Sequence, residues 1–319
     1  MMATTVLVTG GLGFIGANVV RELLCQGRRV VVIDRQREGN TADEVLSAEE
    51  RAGVRCIAGA IPGVRTLTRL LREYAVEAVI HLASPLSTAT EARPKLVTDE
   101  MISPHFAILE ACRLARARRL VWASSVGVFG RANDYPRLPI PNDAPHLPLT
   151  LYGAAKSFLE RLSTHYSARY GLETLGLRFP LVYGPGRQRG GGQFTTRLIE
   201  GAALGRRCVV EAADERYDWM YVADAARAVL LAMHAGPAPS GVLTVCGEAA
   251  TTREAAELLS AWFPEADLVV RPGSTGLVAD FDPRPAREQL GYSPGRTLEE
   301  GVLATANAAR QRAGLPLVA

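Results

Sequence analysis

Val8-Thr9-Gly10-Gly11-Leu12-Gly13-Phe14-Ile15-Gly16 is the stretch that decides the fold of this chain. It joins an apolar run (Thr4 to Thr9) to a segment with helical spacing at Val19, Val20, Leu23 and Leu24. Between them lies a G-x-x-G-x-x-G turn. Glycine permits the tight turn and lets a backbone approach a ligand closely. The helix that follows offers unpaired N–H groups and a partial positive charge to an anion. Such glycines are a weak signal alone, but strand before and helix after are the context a pyrophosphate-binding turn requires. Gly10, Gly13, Phe14, Ile15 and Gly16 are therefore candidate cofactor-binding residues.

A second apolar run, Arg29 to Ile33, ends at Asp34, 18 residues after Gly16. A carboxylate there is placed to accept the ribose hydroxyls of NAD and would repel a 2′-phosphate. NAD is thus favoured over NADP, although Arg35 beside it could accept the phosphate. Further apolar strands are expected at Val54–Ala58, Ala78–Leu82, Leu120–Ser124 and Leu175–Arg178, alternating with helices at 64–74, 102–116 and 151–170. Strands apolar along their whole length and alternating with helices mean a parallel sheet covered on both faces. The fold class is α/β: a Rossmann-type doubly wound parallel sheet with a smaller C-terminal substrate-binding domain. The texture changes after Arg178, where Pro180, Pro185 and Gly190-Gly191-Gly192 precede a helix (194–204), a strand (208–211), a returning helix (222–235), a strand (242–245) and a helix (252–262). Residues 1–177 and 217–245 are assigned to the NAD-binding domain, and 178–216 and 246–319 to the substrate-binding domain.

Tyr152-Gly153-Ala154-Ala155-Lys156 places a phenol and an amine four residues apart on one helix face. A free phenol titrates near 10, and lowering that by about three units needs about 4 kcal/mol of differential stabilisation. A neighbouring ammonium and a cationic nicotinamide ring both act in that direction. Y-x-x-x-K is weak as a bare pattern. Two facts strengthen it: Lys156 is one of only two lysines, with Lys95, against 34 arginines, and Ser124-Ser125 ends a strand 27 residues upstream of Tyr152. That strand end lies at the carboxyl edge where substrates bind in such sheets. Ser125, Tyr152 and Lys156 form the candidate catalytic set.

Composition narrows the remaining classes. The formal charge is only +3 over 319 residues, and no basic stretch alternates with aromatics, so nucleic acid is not expected as a partner. No apolar run is long enough to span a bilayer, and no signal-peptide pattern precedes the first strand, so a cytoplasmic protein is expected. Five scattered cysteines without a CxxC pair read as buried free thiols, and no metal site is expected.

The ordered motifs resemble the extended short-chain dehydrogenase/reductase superfamily, the NAD-dependent epimerase/dehydratase group. They are the glycine turn, His81-Leu82-Ala83-Ser84, Ser124-Ser125 to Gly130, Tyr152 to Lys156, Arg178-Phe179-Pro180, Val182-Tyr183-Gly184-Pro185-Gly186, Val222-Ala223-Asp224-Ala225 and Leu290-Gly291-Tyr292-Ser293-Pro294. The resemblance implies that Ser125 orients the substrate oxygen, Tyr152 is the acid/base and Lys156 holds the cofactor ribose. It adds Leu82, Ala83, Ser84, Phe179, Pro180 and Val182 to the cofactor-binding set and implies a homodimer through the helices at 102–116 and 151–170.

Departures from the family pattern sharpen the expectation. Val126 and Gly127 stand where dehydratases carry Asp-Glu, so dehydration is not expected. Pro180 stands where sugar-nucleotide enzymes carry Asn, and Tyr217-Asp218-Trp219 where they carry Arg-Asp-Phe. Both losses remove donors for a diphosphate. Gly59-Ala60 and Met101 also depart from the usual residues, without removing NAD binding. Pro180, the triple glycine and Trp219-Met220-Tyr221-Val222 are similar to small-acid relatives such as threonine dehydrogenases, although a plain mobile loop accounts equally for the glycines.

The expectation is an NAD-dependent oxidoreductase acting on a secondary alcohol of a small hydroxy acid or sugar acid. Ser84, Ser125, Tyr152, Arg187 and Tyr217 would meet the substrate, and Arg178, Arg187 or Arg189 would hold its carboxylate. The alternatives are a UDP-glucose 4-epimerase-like enzyme of nucleoside-diphosphate sugars and a non-catalytic NAD sensor.

Overall fold

Apolar β-branched runs and amphipathic helices alternate through most of the computed structural model, which describes residues 4–35, 40–236 and 241–318. Met1-Met2-Ala3, and residues 237–240 within the 217–245 stretch, lie outside the described residues. The strands are β1 (Thr5–Thr9), β2 (Arg29–Asp34), β3 (Val54–Ala58), β4 (Val76–His81), β5 (Arg119–Ser125), β6 (Thr174–Phe179), β7 (Leu181–Tyr183), β8 (Cys208–Val210), β9 (Arg216–Tyr221), β10 (Gly241–Thr244), β11 (Glu248–Thr251) and β12 (Leu268–Val270). The helices are α1 (Phe14–Cys25), α2 (Ala42–Val45), α3 (Ala48–Ala52), α4 (Val64–Glu73), α5 (Ser87–Ala92), α6 (Ser103–Ala115), α7 (Leu151–Tyr170), α8 (Gln193–Ala203), α9 (Val222–His234), α10 (Thr252–Trp262), α11 (Arg284–Leu290) and α12 (Leu298–Arg312). The segment expected as one helix over 102–116 begins earlier, with a π-helical turn at Val97–Ile102 that runs into α6.

Seven strands form one parallel sheet in the order β10-β6-β5-β4-β1-β2-β3. β1 is buried at every position, so one set of its side chains meets each helical layer. Val6, Val8, Val30 and Val32 pack under α1 and α9 with Val19, Val20, Leu23 and Val229. Leu7, Val31, Ile33 and Val79 face the opposite layer with Leu67, Ile108, Leu109 and Leu159 of α4, α6 and α7. The strand order turns back between β1 and β4, and the crevice outside their carboxyl ends is where such sheets bind ligands.

A smaller unit stands over those strand ends. β11, β9 and β7 form a three-stranded sheet, and β12 pairs with β8. Leu198, Ile199, Trp219, Leu259, Phe263 and Val302 fill its core with α8, α10 and α12. β9, at the start of the 217–245 stretch, pairs in this smaller sheet, whereas β10 pairs with β6 in the large one. Both units therefore border the β5–β6 edge, where Ser125 is in register with Phe179. Among the described residues, no helix is long and apolar enough to cross a membrane. None of their His, Cys, Asp and Glu side chains group in a way that could hold a metal ion.

Candidate active site

The glycine turn packs directly against the end of β4. Gly10 has φ +71°, and a Cβ there would lie 2.7 Å from the Ala83 nitrogen. A Cβ on Gly16 would lie 2.0 Å from the Gly10 carbonyl oxygen, an impossible contact. The turn thus brings the Leu82–Ala83 backbone, the Gly10 backbone and the start of α1 into one cradle. Gly13 occupies the N-cap without a side-chain hydrogen bond, so the first-turn N–H groups of α1 are left for a ligand. Asp34 Oδ2 accepts from Leu12 N at 3.0 Å, which fixes its carboxylate at the end of β2 beside the turn. Arg35 turns to Glu100 (2.7 Å) in the π-helical turn. These features fit a dinucleotide. Gly16→Ala is expected to abolish NAD binding, read as loss of the fluorescence change on titration with NADH; retained affinity would show that the cradle is not the pyrophosphate site.

The candidate acid/base cluster is built from β5, β4 and α7. Thr150 caps α7 by accepting from Gly153 N at 3.0 Å. Gly153 then sits so close to the 126–128 turn that a Cβ would lie 2.0 Å from Gly127 O. This contact lets Tyr152 reach Ser125, whose Oγ accepts from Gly127 N at 3.0 Å. The space beside Tyr152 Cδ1 is occupied by Gly127, so no acid stands at that position. Burial pushes the Tyr152 phenol up to about 12, while Ser84, the Arg187 charge and Ser125 pull it down. Ser84 Oγ is buried next to the phenol without completing a hydrogen bond of its own.

Lys156 lies one helical turn after Tyr152 on α7. Its Nζ lies 5.3 Å from the Tyr152 ring centroid and donates to Ala123 O at 2.7 Å. Burial dominates the shift of the phenol itself. Burial also brings the amine itself down to about 8, opposed by the negative charge of Glu160. Behind it, His81 bonds Thr9 Oγ1 through Nδ1 (2.7 Å), and burial together with Lys156 holds that imidazole down at about 3. The amine therefore faces neutral rings on that side and one carboxylate on its own helix.

That carboxylate belongs to a buried network the sequence reading did not identify. Glu160 accepts from Ser124 Oγ (2.5 Å) and from Arg178 Nε (2.9 Å) and Nη2 (2.6 Å), with His146 Nε2 at 3.3 Å. Burial alone would raise its pKa, but His146, Arg178 and Ser124 hold it down to about 2. Arg178 spends its remaining donors on Asn142 O (2.6 Å), Thr244 and His146. The expectation that Arg178 holds a substrate carboxylate is corrected: it is 5 % exposed and tied to Glu160. The sequence signal for Glu160 was its spacing, four residues after Lys156 on the same face of α7.

Of the other arginines considered, Arg187 joins the cluster and Arg189 lies exposed on the loop. The Arg187 guanidinium stacks over Phe14 at 5.4 Å and donates from Nη1 to Val182 O, while its buried Nε has no partner. Burial lowers it to about 10, opposed by attraction to Tyr152. The glycine loop makes room for it: a Cβ on Gly192 would lie 2.6 Å from the guanidinium. Phe179 and Val182 are buried alongside, and Val182 N donates to Pro180 O at 3.0 Å. Tyr217 packs at a tilt against Phe194 (5.4 Å) and edge-on to Trp219 (6.5 Å).

A doubly wound sheet with a phosphate cradle at its switch point and a serine, tyrosine and lysine at the adjoining strand edge defines the class of NAD-dependent oxidoreductases. The model of the NAD dependent epimerase/dehydratase family matches residues 6–246, and the chain belongs to that family. It is 30% identical over 94% of its length to a UDP-glucose 4-epimerase of Azospirillum brasilense, covering 90% of that protein. The Thermus thermophilus UDP-glucose 4-epimerase, solved with NAD, superposes with a TM-score of 0.81 at 27% identity, covering 96% of this chain and 99% of that one. MoeE5, solved with UDP-glucuronic acid and NAD, superposes with a TM-score of 0.82 at 28% identity, over 97% of this chain and 99% of that one. The chain is accordingly an NAD-dependent enzyme. These relatives favour the epimerase alternative over net oxidation of a small acid.

Proposed function

We propose that the enzyme is a 4-epimerase of a nucleotide-linked sugar acid. The observation that carries this reading is Arg187, a buried guanidinium with an unused donor beside the Tyr152 phenol. A cation there is matched by an anion close to the reacting carbon. In a uronic acid the carboxylate is borne by C5, next to the C4 hydroxyl. The relatives named UDP-glucose 4-epimerase and the MoeE5 complex with UDP-glucuronic acid support both halves of the reading, the reaction and the acid.

Ser84 and Ser125 orient the C4 hydroxyl, and Tyr152 takes its proton. NAD, when bound, would supply the acceptor and the donor of the C4 hydride. Tyr152 then returns the proton to the O4 oxygen, and the configuration at C4 is set by which face of the keto carbon receives the hydride. Lys156 holds the nicotinamide ribose, with Leu82, Ala83, Phe179, Pro180 and Val182 beside the cofactor and Gly10, Gly13, Phe14, Ile15, Gly16 and Asp34 along its phosphates and adenosine ribose. Glu160 and Arg178 keep β5, β6 and α7 in place around these groups.

Arg187→Gln tests the acid half. A hydrogen bond to a charged group contributes about 1.5–3 kcal/mol, so KM for UDP-glucuronic acid is expected to rise about 10- to 100-fold. KM for UDP-glucose, which lacks the carboxylate, should change much less. Equal losses with both would assign Arg187 to the diphosphate or the cofactor instead.

A second reading, net oxidation of a free sugar acid, is favoured by Pro180 and Tyr217. Pro180 carries no side-chain donor, and Tyr217 is packed against Phe194 and Trp219, so neither supplies a guanidinium or amide for a diphosphate. Accumulation of NADH with free uronic or hydroxy acids, and none with their nucleotide esters, would select it.

A further inference from the structure

Beyond Arg187, along α8, lies a cavity of about 710 Å³. It is bounded by the 186–188 segment, the turn at Arg206–Cys208, the last turn of α12 and Glu44 of α2. Gln193, Arg197 and Glu200 reach it from one helical face, and Tyr217 and the acid/base cluster do not line it. Five arginines border this space: Arg187, Arg197, Arg206, Arg207 and Arg312. Its only carboxylates, Glu44 and Glu200, are both taken by Arg312, at 3.7 and 2.6 Å. Arg207 is paired outward with Asp267 at 3.3 Å. Among the described residues, no carboxylate lies within ion-pair distance of Arg187, Arg197 or Arg206; Arg197 touches only the Gln193 amide, at 3.3 Å.

The convergence of these cations is built in. The buried Cys208 thiol lies 3.4 Å from both the Arg197 and the Arg206 carbonyl oxygens, which anchors the two backbones across one sulfur. Gly201 leaves room for that sulfur, since a Cβ there would lie 2.3 Å from it. Arg187 is clamped by Gly192 on the inner wall. Three arginines without carboxylate partners, Arg187, Arg197 and Arg206, at a cavity of small-molecule size match the oxygens of a diphosphate.

We propose that this cavity is a binding site for a diphosphate-bearing small molecule, separate from the catalytic cleft and sharing only Arg187 with it. The proposal does not depend on the identity of the sugar substrate, and its test contains none. The protein saturated with NAD is titrated calorimetrically with inorganic pyrophosphate and, separately, with ADP. Each is expected to bind at one site, and Arg197→Gln/Arg206→Gln is expected to weaken binding at least tenfold with NAD affinity unchanged. Arg271→Gln, which removes an exposed cation elsewhere, should leave binding as in wild type. ADP binding at least tenfold more tightly than pyrophosphate would make the ligand a nucleotide; equal affinities would make it a bare diphosphate. No heat with either probe, or equal affinity in the double variant and wild type, would overturn the proposal. Arg197 and Arg206 are exposed, so the double variant should keep the wild-type melting temperature.

Discussion

Tyr152→Phe is expected to lower turnover of the nucleotide sugar by about 10²- to 10⁴-fold, the range for loss of a positioned general acid or base. NAD affinity should stay within twofold of wild type, because the ring that packs beside Lys156 and Gly127 is retained. Few groups near the reacting hydroxyl are placed to exchange a proton with it. Ser125 Oγ is tied to Gly127 N, His81 is bonded to Thr9 behind the amine, and Lys156 donates to Ala123 O. Tyr152 alone combines an ionisable oxygen with two neighbouring hydroxyls and a cation. Its elevation to about 12 means the phenol keeps its proton at neutral pH until further positive charge is bound beside it. A variant that keeps more than a tenth of wild-type kcat would remove Tyr152 from the chemistry.

Glu160→Gln should be the most damaging substitution outside the reacting groups. The change leaves Arg178 buried without its counter-charge, and breaking a buried pair in this way costs about 3–5 kcal/mol. Thermal unfolding should register it as a drop of several degrees. The pH dependence carries a second signature. Glu160 is held at about 2 in the folded protein against an ordinary value of 4.5, so its contribution is complete above pH 4.5 and disappears as pH falls through 2. Wild type should lose stability across that window, and the variant should lack this component of the loss. Glu160 also raises Lys156 against the effect of burial, so without it the amine falls below about 8 and the alkaline limb of the pH–rate profile moves to lower pH. A destabilised variant with an unchanged alkaline limb would confine Glu160 to a structural part.

The large sheet was readable because its inner strands are unbroken apolar runs, as in Arg29–Ile33 and Leu120–Ser124. The smaller unit was harder to read. β9 (RYDWMY) has a charged residue in mid-strand, and a period-two reading rejects it. Its Asp218 is buried, accepts from Gly247 N at 2.5 Å and is pushed by burial up to about 7, a tertiary solution invisible in local pattern. β7, β11 and β12 have only three or four residues each, too few for periodicity to register.

The candidate site divides in the same way. The glycine turn, Asp34 and the Ser125/Tyr152/Lys156 set stand out because spacing and context coincide. Among 34 arginines, sequence offered no means of separating Arg178, which braces Glu160, from Arg187, which faces the phenol. Their partners tell them apart: Arg178 is paired with Glu160, while the buried Arg187 Nε has no partner. The triple glycine was equally ambiguous, and its meaning at Gly192 is steric, since the Arg187 guanidinium passes where a Cβ would stand. The relatives then shifted the balance from a free acid to a nucleotide-linked sugar, against the weight given to Pro180 and Tyr217.

The central claim is reversible transfer at one sugar carbon, and isotope tracing at that carbon tests it most directly. UDP-glucuronic acid deuterated at C4 is incubated with the NAD-loaded enzyme and followed by proton and deuterium NMR. The account predicts appearance of the C4 epimer with deuterium kept at C4 and no growth of NADH absorbance. Deuterium leaving the sugar into free reduced cofactor, or no conversion of any nucleotide sugar while a free sugar acid yields NADH, would contradict it.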